Sequence, residues 1–154
     1  MSLSGKLRNV LILALIASAG AAAAAKERPI TPSDLVTATQ LNSQLPSIKV
    51  GKIILLQVGF LTMYKMGHIP GSQYAGAASK AEGLAALKKL VAKFPRNQAI
   101  VIYCGCCPWK DCPNIRPAFQ ALVEMGFSNL KVLDIPDNLG TDWGAKGFPL
   151  VRGE

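Results

Sequence analysis

The sequence predicts a single α/β domain built on a mostly parallel sheet. Two largely apolar runs of strand length, 53–58 and 98–103, lack the alternation of a half-exposed strand and suit strands covered on both faces. Between them, Leu84, Leu87, Leu90, Val91 and Phe94 recur at helical spacing, with Lys88, Lys89 and Lys93 on the opposite side. Short connections join these segments, as in strand–helix–strand units. The 154 residues are half hydrophobic and 17% charged, which excludes a disordered or solvating chain. The formal net charge of +8 is scattered, with no run of like charges and no Arg-aromatic interleaving, so it points to solvated lysines and not to nucleic acid.

In chain order, Lys6 and Arg8 precede an apolar stretch that runs into small residues ending at Ala25. This pattern reads as a secretory signal peptide over residues 1–25, with the domain at 26–154. The uncharged stretch Val10–Ala25 has 16 residues, short of the ~20 a membrane-spanning helix needs. The expectation is a protein of the periplasm or extracellular space with no stable membrane association after cleavage. The mature chain keeps 15 basic and 9 acidic side chains. Thr31-Pro32-Ser33-Asp34 reads as a helix start, with Leu35, Val36 and Leu41 as its apolar face. The run at 53–58 follows as a strand, then a short helical turn from Phe60 to Met66 and a short strand at Ser72–Ala75. A helix at 80–94 leads to the strand at 98–103. Asn114 is placed to cap the next helix, where Pro117 is tolerable because it lies in the first turn. A strand at Leu130–Leu133 and a short helix from Thr141 to Lys146 complete the chain.

All four cysteines fall within nine residues: Cys104, Cys106, Cys107 and Cys112. A disulfide scaffold would spread them to staple distant segments, so these serve local chemistry or loop shape. Cys104 ends a buried strand and precedes a loop and a helix start, the position where ligands sit in open parallel sheets. A cysteine thiolate there would gain from backbone N–H groups and from a helix N-terminus.

Three signals in order resemble the rhodanese-like family: Gly67-His68-Ile69-Pro70-Gly71 after the first buried strand, Val101-Ile102-Tyr103-Cys104 as the strand delivering the active cysteine, and Trp143 with Gly147-Phe148-Pro149 as the closing element. The resemblance covers residues 30–152. It implies a doubly wound, mostly parallel five-stranded sheet with helices on both faces. It also implies a sulfurtransferase without a cofactor, in which Cys104 takes a sulfane sulfur from a small anionic donor as a persulfide. The sulfur then passes to cyanide or to a thiol, which can belong to a protein. The active loop would comprise Gly105, Cys106, Cys107, Pro108, Trp109 and Lys110, with Arg116 one turn into the helix facing the donor. In the family the turn histidine, here His68, is structural.

The chain departs from the family pattern in three places. The loop from Cys104 to Pro113 is several residues longer than usual and rich in thiols, Gln57-Val58-Gly59 stands where an Asp-x-Arg pair is common, and Met63 replaces an acid. Three readings of the cluster stay open. Cys106, Cys107 and Cys112 can serve Cys104 as resolving thiols, or brace the loop through a disulfide from Cys112 to Cys106 or Cys107. The four can form a thiol–disulfide redox module, with Cys104-x-x-Cys107 as its pair. Or Cys104, Cys106, Cys107 and Cys112 can bind soft Cu(I) or Zn(II), although the vicinal pair makes a four-sulfur site awkward. Met63 and Met66 are expected as core gap-fillers. Trp143 should be core, Gln57 hydrogen-bonded to the core or the loop, and Trp109 at the pocket mouth or over the thiols. N-terminal sequencing of the exported protein should find a start near Lys26; an intact Met1 pelleting with membranes would contradict the leader.

Overall fold

A computed structural model describes residues 27–153, so residues 1–25, expected to be a signal peptide, lie outside the described residues. Five parallel strands form one sheet: β1 (Leu35–Thr37), β2 (Ile53–Gln57), β3 (Gln73–Tyr74), β4 (Ala99–Tyr103) and β5 (Leu130–Asp134), in the order β1-β5-β4-β2-β3. Among the described residues the helices are α1 (Ala38–Ser43), α2 (Leu45–Lys49), α3 (Leu61–Met66), α4 (Ala81–Val91), α5 (Ile115–Glu124) and α6 (Leu139–Asp142). No helix among the described residues is long and apolar enough to cross a membrane.

The winding reverses between β2 and β4. From β2 the chain moves outward to β3, and from β4 it moves the other way to β5. Such a reversal opens a crevice beyond the carboxyl ends of the two strands. These strands are the most fully paired in the sheet, in register from Ile53–Ala99 to Gln57–Tyr103.

Strand side chains alternate between the two faces. On one face Ile54, Leu56, Ile100, Ile102 and Val132 pack against Leu87 and Val91 of α4 and Ile115, Phe119 and Leu122 of α5. On the other, Leu55, Val101, Tyr103 and Leu133 meet Leu41 of α1, Ile48 of α2, Leu139 of α6 and Trp143. This double cover explains the continuous apolarity of the central strands. Trp143 is fully buried, donates from Nε1 to the Pro149 carbonyl at 2.8 Å and meets the Phe148 ring edge-on at 5.2 Å.

The start of the chain corrects the sequence reading. Pro32–Asp34 form only a single 3-10 turn, and Leu35 and Val36 belong to β1, paired with Val132 and Leu133 of β5. The Asp34 carboxylate closes the turn by accepting from the Thr31 backbone N–H (2.8 Å) and from Arg28 (2.9 Å). A second cap then starts α1: Thr37 Oγ1 accepts from the Gln40 N–H, and Gln40 Oε1 accepts from the Thr37 N–H. Two capping signals six residues apart leave room for a three-residue strand between them. Met66 is exposed and not a core gap-filler, because α3 turns Tyr64 inward in its place.

The Gly67–Gly71 turn is tied to β4 by a buried phenol. Tyr103 Oη accepts from the Ile69 N–H at 3.1 Å and lies 2.9 Å from Ser72 Oγ. His68 stacks on Tyr64 at 3.8 Å, and its Nδ1 donates to the Tyr64 carbonyl at 2.9 Å, the structural role expected for it. Tyr103→Phe leaves the buried Ile69 N–H without that acceptor. The expected cost is about 1–3 kcal/mol, read as a lower urea midpoint with an unchanged slope; an unchanged midpoint would show that the phenol does not tie the turn.

Candidate active site

Cys104 follows the last residue of β4, so alternation turns its sulfur to the α4 and α5 face while Tyr103 points the opposite way. It is buried, 4% exposed. Two bonds close the top of the β2–β4 pair: Val58 N–H to the Tyr103 carbonyl (2.9 Å), and Gln57 Nε2 to the Cys104 carbonyl (3.0 Å). Gln57 Oε1 accepts the Gly59 N–H at 3.2 Å. One amide side chain thus joins both strand ends, as expected from its place in the sequence. Gly59 lies directly over the thiol: a Cβ there would sit 2.7 Å from Cys104 Sγ and 2.8 Å from Gln57 Nε2. The roof of the crevice accepts glycine for lack of room.

The long loop is anchored along its length. Gly105 has φ +89°, and a Cβ on it would meet Leu139 Cβ at 3.2 Å, so both conformation and space favour glycine. Its carbonyl accepts from the Leu139 N–H at 3.0 Å. Trp109 donates from its backbone N–H to the Ile135 carbonyl and from Nε1 to Asp134 Oδ1, both at 3.0 Å. Bonding to β5 and to the residue just beyond it pins the middle of the loop.

The four cysteines are free thiols that converge on one another. The Sγ atoms of Cys104 and Cys106 are 3.3 Å apart, and those of Cys106 and Cys107 are 3.0 Å apart. Cys104, Cys106 and Cys112 bring three sulfurs within 4.8 Å of one another, a spacing a soft metal ion could bridge. Asn114 is fully buried beneath them. Its Nδ2 donates to Cys104 Sγ at 3.5 Å and reaches Cys112 Sγ at 4.0 Å, while its Oδ1 accepts the Ser79 N–H at 2.9 Å. It occupies the N-cap position of α5 without capping by its side chain, having spent both ends of the amide on the thiols and the neighbouring loop.

The helix end is therefore used differently from expectation. The backbone N–H groups of Asn114 and Ile115 favour the Cys112 thiolate, and the Cys106 N–H acts in the same sense on Cys104. Cys112 is buried beside Cys104. A hydrogen bond from the Cys104 thiol, then the two helix N–H groups, lower the Cys112 thiol to about 5 against the cost of burial. That same bond to Cys112, then burial, push the Cys104 thiol upward. Opposite shifts in two neighbouring thiols favour a single proton and a single charge on the pair. Burial and the bond to Cys106 push Cys107 up to about 12.

Pro108 is half-buried in the loop. Trp109, Lys110 and Arg116 line a cavity of about 430 Å³ together with Arg28, Ile30 and Phe119. No cysteine lines it, so these cations gather beside the loop and not around the sulfurs. The sequence left Trp109 between two roles; it lines this cavity. Reasoning from the sequence missed Asn114 as a thiol partner, since Asn before a helix signals a cap.

The family described as the rhodanese-like domain matches residues 38–135. Among solved structures, the chain is similar to the rhodanese-like domain of an Anabaena protein (20% identity, 77% of this chain and 79% of that one, TM-score 0.56). It is also similar to a Bacillus halodurans protein (18% identity, 78% and 77%, TM-score 0.60). A third likeness is to a cysteine-persulfide form of EanB in a tetrahedral intermediate state with ergothioneine (23% identity, 76% and 27%, TM-score 0.58). No curated protein matches the chain in sequence.

The lowered Cys112 thiol gives a titration prediction. Its charge stabilises the fold fully above the ordinary value of 9.0, and that contribution is lost as pH falls through about 5. Ultraviolet thiolate absorbance should rise near pH 5 and lose that step in Cys112→Ser. A wild type whose first thiolate appears only near its ordinary range would refute the shared-proton pair.

Proposed function

Since the chain belongs to the rhodanese-like domain family, a family of sulfurtransferase type, we propose that it moves a sulfane sulfur through a persulfide on Cys104. The observation that carries this reading is the position of Cys104, at the end of β4 in the crevice where the sheet reverses its winding, roofed by Gly59. The substrates are a small anionic sulfur donor and a thiol or cyanide acceptor, and the place is the periplasm or the cell exterior.

Cys104 Sγ attacks the outer sulfur of the donor, whose S–S bond breaks with its electron pair leaving on the departing group. The Cys104 proton passes to Cys112, whose sulfur lies within 4.8 Å. A nucleophilic acceptor then attacks the outer sulfur of the persulfide and returns the pair to Cys104, without net oxidation. Asn114 Nδ2, at 3.5 Å, donates toward the sulfur that carries charge in both steps.

The decisive measurement is intact mass after thiosulfate treatment. The wild type should gain one sulfur and release thiocyanate on adding cyanide, whereas Cys104→Ser should do neither, since a hydroxyl forms no persulfide. Cys112→Ser should load more slowly and keep its fold. A wild type that gains no sulfur from any sulfane donor, and instead keeps stoichiometric copper or zinc, would replace this reading with a thiolate metal site.

A further inference from the structure

Cys104 is enclosed. Gly59 covers it from the β2 side, Asn114 and Cys112 lie below, and its exposure is 4%. A donor or cyanide is small enough to enter such a crevice, but a thiol carried on a folded protein has nowhere to bring its sulfur. Cys106 is exposed, and its sulfur is 3.3 Å from that of Cys104. The turn that brings it there is fixed: Gly105 holds a left-handed backbone against Leu139, which folds residue 106 back over residue 104. Cys107 contacts Cys106 at 3.0 Å and is itself half-buried, so Cys106 is the thiol that joins the enclosed sulfur to solvent.

We propose that Cys106 is a second sulfur carrier, which takes the sulfane sulfur from Cys104 and presents it at the surface to thiols of protein partners. This rests on the reading that Cys104 is the site of loading. The Cys106 sulfur attacks the outer sulfur of the Cys104 persulfide, so that a Cys106–sulfur bond forms and the Cys104–sulfur bond breaks. The electron pair returns to Cys104 Sγ, which recovers the proton Cys106 gives up, and the travelling sulfur keeps the hydrogen it took back from Cys112 after loading. Nothing is oxidised or reduced overall, and no further reagent is required. In-line attack needs three sulfurs in a row, more than about 4 Å end to end, since the forming and breaking bonds are each longer than a full S–S bond of ~2.05 Å. From 3.3 Å, Cys106 reaches that arrangement by backing away about 1 Å or more, a movement open to an exposed side chain.

The test compares acceptors of different size. Wild type and Cys106→Ser are loaded with thiosulfate, then offered either cyanide or reduced thioredoxin as a protein thiol. Cys106→Ser should still load one sulfur and pass it to cyanide, and its transfer to thioredoxin should fall roughly tenfold or more beyond any fall with cyanide. Fragment-ion mass spectrometry of the loaded wild type should place sulfur on both Cys104 and Cys106. Transfer to thioredoxin undiminished in Cys106→Ser overturns the proposal, and so does an equal fall with both acceptors, the mark of a bracing residue. A Cys104–Cys106 disulfide formed with release of sulfide also overturns it, because attack would then fall on the inner sulfur. Loading that survives in Cys104→Ser, or is absent from the wild type, refutes the underlying reading itself and is seen before any acceptor is added.

Discussion

Everything at the site follows from the five-residue pairing of β2 with β4. These two strands flank the reversal in winding, so the chain must leave both of their carboxyl ends in opposite directions and a crevice opens between the departing loops. Gln57 holds that crevice to fixed dimensions, since its single amide bonds the backbone on both sides. With the dimensions fixed, only glycine fits at 59, and the sulfur of Cys104 has a defined ceiling. The helices matter to the site through this pair: α4 and α5 press on the face that carries Cys104, and α1, α2 and α6 on the other.

The electrostatics of the cluster rest on competition for few donors. The two backbone N–H groups at the start of α5 act on Cys112 and lower its thiol. Cys104 has the Asn114 amide at 3.5 Å, and its neighbour Cys112 and burial push its thiol upward. A buried thiol pair of this kind avoids the cost of two adjacent charges by keeping one. The cations Lys110 and Arg116 stand beside the loop, around a separate cavity, and leave this balance to the sulfurs, Asn114 and the peptide groups.

The fold was legible in the sequence where burial is two-sided, because strands covered on both faces write continuous apolar runs that a single chain displays openly. Ile53–Gln57 and Ala99–Tyr103 are such strands, and the α4 stripe is equally plain. β1 was not legible: a three-residue edge strand between two caps carries no periodicity, and its pairing with β5 is a contact nearly a hundred residues away. At the site, the position of Cys104 could be read from the strand end. The roles of Cys112 and Asn114 could not, since both depend on how a ten-residue loop folds back, and Asn before a helix has a commoner local use. Gln57 was readable as a buried amide in need of partners, and it found them on the loop.

The opposite facings of Tyr103 and Cys104 have a consequence for how this site can change. Adjacent strand residues serve different masters here, the phenol tying down the Gly67–Gly71 turn and the thiol entering the crevice. Because strand side chains alternate strictly, sliding β4 by one position would bring the phenol to the face beneath Gly59 and turn the thiol to the opposite face. The Cys104 sulfur therefore cannot be repositioned by small backbone adjustments. Its depth is quantised by the pleat, and diversification is left to the one part of the site free of that rule, the length and thiol content of the loop beyond it.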